Sequence, residues 1–202
     1  PMESLFVEPA LSGERIDPGR AQDEWPKSAG LIDAVIDHPR LVVLGDPGSG
    51  KSTLVSWIVL SLLSREKNRL KDAVGPLLPV TLVLRDLDIS GEITWEKLLA
   101  RFVAHPTGQA LGSPEVIEGF LERGQAMVLV DGLDEAGGTE TRRAVVTVLH
   151  AAFLRYRSVR WLITSRIVGF EEAAADIDTT PHFIVDAGQS DVPVIVPPLD
   201  KM

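Results

Sequence analysis

The sequence contains no cysteine, which excludes disulfide bonds, thiolate metal sites and cysteine nucleophiles. It also lacks a long apolar run. The longest stretch, residues 54–63, is interrupted by Ser56 and Ser61 and is shorter than the roughly 20 residues that cross a bilayer. We therefore expect no membrane-spanning helix. The chain opens without a secretory signal, so we expect a cytoplasmic protein.

Basic residues are outnumbered by acidic ones, 20 against 29, for a formal net charge of −9. Binding to nucleic acid or to an anionic membrane surface needs clustered lysine and arginine, so we expect neither partner. The main basic stretch is interpreted as a solvated helix face, with a contact between subunits as the alternative. Its members are Arg142, Arg143, Arg155, Arg157 and Arg160.

The 202 residues, 45% of them hydrophobic, suffice for one domain with a buried core. Apolar runs alternate along the chain with helical patterns. We predict strands at 40–44, 79–84, 126–130 and 159–163, and a fifth at either 183–185 or 192–196. Helices are predicted at 28–37, 51–69, 95–103, 114–122 and 140–155, with a short one near 170–175.

The predicted strands are continuously apolar, which is typical of strands covered on both faces. Strands that alternate with helices form parallel sheets with right-handed crossovers. The sequence therefore predicts an α/β fold with a mostly parallel five-stranded sheet flanked by helices. Residues 1–38 are expected to form an N-terminal extension with a lead-in helix, and residues 39–202 the domain itself.

A glycine-rich loop follows the first predicted strand and satisfies the pattern G-x-x-x-x-G-K-[ST]. The backbone N–H groups of such a loop point toward one anion, and with the positive end of the next helix they can bind phosphates. The lysine can reach the outer phosphates, and the hydroxyl of the residue after it can face Mg²⁺. The candidate nucleotide-binding residues are Gly45, Asp46, Pro47, Gly48, Ser49, Gly50, Lys51, Ser52 and Thr53. Adenine is the expected base, because no Asn-Lys-x-Asp or Thr-Lys-x-Asp guanine-reading motif occurs.

Carboxylates follow the strand predicted at 126–130. Asp131, at the strand end, is a candidate ligand of Mg²⁺ together with Ser52. Asp134 and Glu135 come directly after it, and one of them could orient or deprotonate an attacking water. The alternative for both is that they cap the following helix. The pair Gly137 and Gly138 makes this segment pliable.

A third cluster, Thr164-Ser-Arg166, follows the strand predicted at 159–163. An arginine there can neutralise charge on a terminal phosphate and so report whether that phosphate is present. Gly45, Asp131 and Thr164 each lie just beyond the carboxyl end of a predicted strand. Ligands of open parallel sheets bind outside those ends, so the three clusters predict one site.

These motifs resemble the NACHT branch of the STAND class of signal-transduction NTPases, and we expect the bacterial type. The resemblance rests on the phosphate loop and on residues 129–135, Leu-Val-Asp-Gly-Leu-Asp-Glu. It also rests on residues 162–166, Leu-Ile-Thr-Ser-Arg, and on the stretch Leu-Pro-Val-Thr-Leu-Val-Leu-Arg-Asp-Leu at 78–87. It implies a three-layer P-loop NTPase fold of the ASCE type, in which the strand at 159–163 lies between the phosphate-loop strand and the strand that ends at Asp131.

The resemblance also implies roles for single residues. Ser52 and Asp131 would hold Mg²⁺, Asp134 and Glu135 would serve hydrolysis, and Arg166 would sense the terminal phosphate. The expected function is a switch that binds ATP or ADP, hydrolyses ATP slowly, and belongs to a larger signalling or defence protein. Its expected partners are helical, winged-helix and sensor regions beyond the end of this chain, and further copies of itself when ATP is bound.

Two other functions stay open. The chain could be an ordinary P-loop ATPase or phosphotransferase with a small substrate, which would need a substrate pocket and an arginine-rich lid. It could also hold a nucleotide without hydrolysing it, as a structural binding module.

Overall fold

The computed structural model describes residues 31–86, 91–106, 108–166 and 182–184. Its helices are α1 (Leu31–Asp37), α2 (Lys51–Leu63), α3 (Arg69–Val74), α4 (Trp95–Ala104), α5 (Pro114–Glu122) and α6 (Thr139–Arg155). Its strands are β1 (Arg40–Leu44), β2 (Leu78–Val83), β3 (Ala126–Asp131), β4 (Arg160–Ser165) and β5 (His182–Ile184). Three short 3-10 turns lie at Leu84–Asp86, Gln109–Leu111 and Leu133–Glu135. Within the described ranges, no helix is both long and apolar enough to span a membrane.

The strands form a parallel sheet in the order β2-β3-β4-β1-β5. Four of them have five or six residues and make the body of the sheet, whereas we expected a five-stranded sheet. The three residues of β5 add only a short edge beside β1, and they overlap the first predicted alternative, 183–185, shifted by one residue. The second alternative, 192–196, lies outside the described residues. β4 lies between β1 and β3, as the family resemblance implied.

Both faces of the sheet are buried, which confirms the α/β prediction. Side chains alternate along each strand: Val42 and Leu44 pack with α4, α5 and α6, while Leu41 and Val43 pack with α1, α2 and α3. Each face therefore has its own apolar core, and the sheet is the middle of three layers. The carboxyl ends of β1, β3 and β4 come together at one edge of this layer.

One helix prediction, 51–69, is wrong. Helix α2 ends at Leu63, and a separate helix α3 begins at Arg69. Asn68 explains the break, because its side chain accepts a hydrogen bond from the backbone N–H of Lys71 at 3.0 Å and so starts the new helix. Its amide also donates to the carbonyl of Ser61 at 2.9 Å, which holds the turn against α2. The helix predicted near 170–175 lies outside the described residues.

Candidate functional site

The glycine-rich loop connects the buried strand β1 to helix α2. Gly48 and Gly50 have φ angles of 83° and 89°, in the left-handed region that L side chains rarely adopt. Gly50 is the N-cap of α2. Because glycine has no side chain to cap the helix, the first N–H groups of α2 stay available to an anion. The N–H of Gly45 donates to the carbonyl of Ser165 at 3.2 Å, which ties the loop to the end of β4.

Lys51 folds back over this loop. Its Nζ donates to the carbonyl of Gly45 at 2.6 Å, to the carbonyl of Asp46 at 3.0 Å and to Oγ of Ser49 at 3.3 Å. The ammonium is thus held at the mouth of the loop, where a phosphate can exchange for these carbonyls. Of the other loop residues, Ser52 and Thr53 are exposed in the first turn of α2, and Asp46, Pro47 and Gly48 are exposed in the loop.

The electrostatics of Lys51 show which groups surround it. Burial lowers the pKa of Lys51, the charges of Asp134 and Asp131 oppose that shift, and the charge of Arg166 adds to it. The structure therefore brings the lysine close to the charged residues that follow β3 and β4. Lys51, Asp131, Asp134 and Arg166 thus lie together at the carboxyl edge of the sheet.

Asp131 is held by the neighbouring strand. Oγ1 of Thr164 donates a hydrogen bond to Oδ1 of Asp131 and accepts one from the backbone N–H of Gly132 at 3.0 Å. Both side chains are buried. This arrangement fixes the orientation of the Asp131 carboxylate. Its second oxygen, Oδ2, can still bind a ligand.

Asp134 and Arg166 form the closest ion pair of the site. The carboxylate of Asp134 accepts a hydrogen bond from the backbone N–H of Arg166 at 2.9 Å and lies 3.0 Å from Nε of the same arginine. The Asp134 side chain is 10% exposed and the Arg166 side chain 52%. The two residues predicted to serve hydrolysis and phosphate sensing are therefore partners of each other.

Glu135 faces a different arginine. Its Oε2 lies 3.7 Å from Nη1 of Arg85, which follows β2 at the same edge of the sheet. Gly132 allows this approach, because a Cβ at that position would come within 2.9 Å of the Glu135 carboxylate, and its φ is 77°. The adjacent carboxylates of Asp134 and Glu135 thus have different arginine partners, so they can take different roles.

The residues present fit a magnesium ion that also binds phosphate. Magnesium prefers hard oxygen ligands and is usually held by one or two protein groups together with substrate phosphates and water. Ser52 and Asp131 offer a hydroxyl and a carboxylate of this kind. Within the described residues, no group of three or more histidine, aspartate or glutamate side chains forms a metal cage by itself.

The solvated-face interpretation of the basic stretch is wrong for Arg142 and Arg160, whereas Arg155 is exposed and pairs with another helix. Arg160 donates to the carbonyls of Val35 and Ile36 at the end of α1, at 3.0 and 2.9 Å. Arg155 lies 3.3 Å from the Glu118 carboxylate on α5. Arg142 reaches the segment that carries Asp134. No sequence signal pointed to these contacts, since each joins residues that are distant along the chain or on different elements.

A comparison with protein-family models matches residues 39–187 to the NACHT domain. A search of curated proteins found no match. The matched region contains the glycine-rich loop, the carboxylates Asp131, Asp134 and Glu135, and Arg166, and it makes up most of the chain.

Proposed function

The chain belongs to the NACHT domain family and is a nucleotide-binding P-loop NTPase module, and we propose that it acts as a switch operated by ATP and ADP with Mg²⁺. Residues 45–53 would bind the phosphates, and Ser52 and Asp131 would hold the metal. The magnesium would neutralise phosphate charge when it is bound. The remaining steps depend on the chain's own side chains.

The observation that carries this proposal is the pair formed by Asp134 and Arg166 beside Lys51. The terminal phosphate of ATP would reach the region of Lys51, where it would compete with Asp134 for the Arg166 guanidinium. ADP lacks that phosphate, so with ADP the arginine would stay on Asp134. The same side chain would then have one partner in each nucleotide state.

The magnitudes suit such an exchange. An ion pair with one half-exposed partner contributes about 0–1 kcal/mol, because water screens it, so Arg166 can leave Asp134 at little cost. A hydrogen bond to a charged group contributes about 1.5–3 kcal/mol. Moving a two-state switch from mostly off to mostly on takes about 5.5 kcal/mol of differential binding. Arg166 alone would be too weak, so Lys51 and the metal would have to contribute as well.

Glu135 is the better candidate to activate the attacking water. Asp134 is occupied by Arg166, whereas Glu135 is partly exposed and its arginine partner is 3.7 Å away. A general base needs a carboxylate that can turn toward the water. We propose slow hydrolysis by Glu135 as the step that resets the switch.

The proposal for the biological setting rests on the family alone. We propose that the module works inside a larger signalling protein, with helical, winged-helix and sensor regions in cis, and that ATP promotes homo-oligomerisation. A role in defence is the corresponding proposal for the whole protein. The alternatives are an ordinary ATPase or phosphotransferase and a structural binding module, and the nucleotide preference of Arg166 variants separates them from a switch.

The test is calorimetric binding of Mg·ADP and of a non-hydrolysable Mg·ATP analogue to the wild type and to Arg166→Ala. We expect Arg166→Ala to weaken the ATP analogue about tenfold, which corresponds to about 1.4 kcal/mol, and to leave ADP within about twofold. Arg157→Ala removes another exposed arginine and is the matched control. If Arg166→Ala weakens both nucleotides equally, Arg166 is not a sensor and the switch proposal fails.

A further inference from the structure

The segment between β3 and α6 carries both acidic residues and also the two adjacent glycines Gly137 and Gly138. Gly137 has a φ of 96°, and a Cβ placed on Gly138 would meet nothing within 4 Å. Two glycines in succession allow many backbone conformations, so this segment needs restraint from elsewhere if Asp134 is to keep its orientation.

We infer that Arg142 is the positioning residue that provides this restraint. It lies on α6, and its guanidinium bridges the glycine pair. Nη1 donates to the carbonyl of Asp134 at 3.3 Å and to the carbonyl of Gly137 at 3.4 Å, while Nη2 donates to Oγ1 of Thr139 at 3.1 Å. The planar fork of an arginine can reach several acceptors at once, which a lysine ammonium cannot do in the same geometry.

Helix stability does not explain an arginine at this position. Arg142 lies in the first turn of α6, where the helix dipole disfavours a positive charge by about 0.3–1 kcal/mol. Its neighbour Arg143 shows the ordinary arrangement, since it is exposed on the helix surface and lies 3.9 Å from Glu140. The Arg142 side chain instead points back over the N-terminus of α6. Its contacts with the loop carbonyls offset the unfavourable position.

The consequence for the site runs through Asp134. Arg142 holds the main chain of Asp134, and the side chain of Asp134 holds Arg166. Without the restraint, the glycine pair would let Asp134 move, and the Arg166 side chain would lose the partner that it keeps in the ADP state. Arg142 would thus set the energy difference between the two nucleotide states without touching a nucleotide. This inference rests on the proposed switch.

The experiment measures affinities for Mg·ADP and for the non-hydrolysable Mg·ATP analogue in Arg142→Ala, Arg142→Lys, Arg143→Ala and Arg166→Ala. We expect Arg142→Ala to change the ratio of the two affinities about fivefold, while the phosphate loop still contributes to the binding of both nucleotides. Arg143→Ala should keep the wild-type ratio. Arg142→Lys keeps the charge but not the fork, so we expect most of the same change. An unfolding temperature of Arg142→Lys close to that of the wild type shows that the measured variant is folded.

The outcomes separate the two proposals. If Arg166→Ala changes the ratio and both Arg142 variants keep the wild-type value, Arg142 is not a positioning residue, while the switch survives. If both Arg142 variants weaken the two nucleotides equally, the role of Arg142 is general stability and the inference is overturned. If neither the Arg142 variants nor Arg166→Ala change the ratio, the switch itself fails, and the inference fails with it.

Discussion

Thr164 on β4 donates a hydrogen bond to the carboxylate of Asp131 at the end of the neighbouring strand β3. The same hydroxyl accepts from the N–H of Gly132, so one side chain orients both the proposed metal ligand and the start of the acidic segment. Thr164 is fully buried, which keeps water from competing for either bond. The sequence placed Thr164 beyond a strand end but did not indicate that it would bind Asp131.

Thr164→Val should raise the Mg²⁺ concentration that ATP binding requires. Valine has nearly the shape of threonine but no hydroxyl, and losing a group that orients a metal ligand typically reduces metal affinity about tenfold or more. The free energy of unfolding should also fall by about 1–3 kcal/mol, because the N–H of Gly132 loses its partner.

Thr164→Ser retains the hydroxyl and is the control. The measurement is a magnesium titration at fixed ATP. If Thr164→Val gives the same magnesium midpoint as Thr164→Ser, Asp131 does not need this bond to hold the metal.

Exchanging the two acidic residues for their amides should separate their roles. Glu135→Gln should reduce ATP hydrolysis about 100-fold and leave nucleotide binding intact, as expected for loss of a general base. Asp134→Asn should instead strengthen the binding of ATP relative to ADP, because it removes the charge that competes with the terminal phosphate for Arg166. Steady-state hydrolysis and equilibrium binding measure the two effects. The reverse pattern, with hydrolysis lost in Asp134→Asn alone, would exchange the two assignments.

The chain has a single tyrosine, Tyr156, whose ionisation can be followed by absorbance. Burial and the adjacent Glu118, which accepts a hydrogen bond from the tyrosine hydroxyl at 3.0 Å, raise the pKa of Tyr156 to about 12. In the unfolded chain the pKa should be about 10. Below pH 10 both states are protonated, so the stabilising contribution of this shift is fully present there and is lost as the pH rises through about 12.

A spectroscopic titration checks this directly. Glu118→Gln should lower the midpoint, since the charge that disfavours the tyrosinate is gone while an acceptor remains. A wild-type midpoint at the value of the unfolded chain would show that the contact between α5 and the end of α6 does not form.

The sequence was sufficient for the parts of the fold that depend on local pattern. Helix α5 was predicted to the residue, because Ser113 and Pro114 mark its start and an amphipathic stripe follows. Strands β1, β3 and β4 were predicted to within about two residues, and the position of their carboxyl ends was enough to bring the three clusters together.

Side-chain partners across the fold could not be predicted in the same way. Arg85 pairs with Glu135, and Arg142, which was expected on a solvated helix face, contacts the carbonyl of Asp134. An arginine side chain is long enough to reach several elements, so its partner depends on the packed structure and not on spacing in the sequence. The break between α2 and α3 was missed for a different reason, because the Asn68 cap is a local signal that competed with a continuing helical pattern.

We propose that residues 45–53 form the phosphate site and that Lys51 reaches the bound nucleotide. The most direct measurement is calorimetric binding of Mg·ADP to the wild type and to Lys51→Ala, with Lys97→Ala as the control, since Lys97 is half-exposed and pairs with Glu92. We predict an approximately 100-fold loss of affinity for Lys51→Ala, equivalent to about 2.7 kcal/mol, with no loss for Lys97→Ala and with unfolding temperatures close to the wild type. A folded Lys51→Ala protein that binds Mg·ADP as tightly as the wild type would contradict the account.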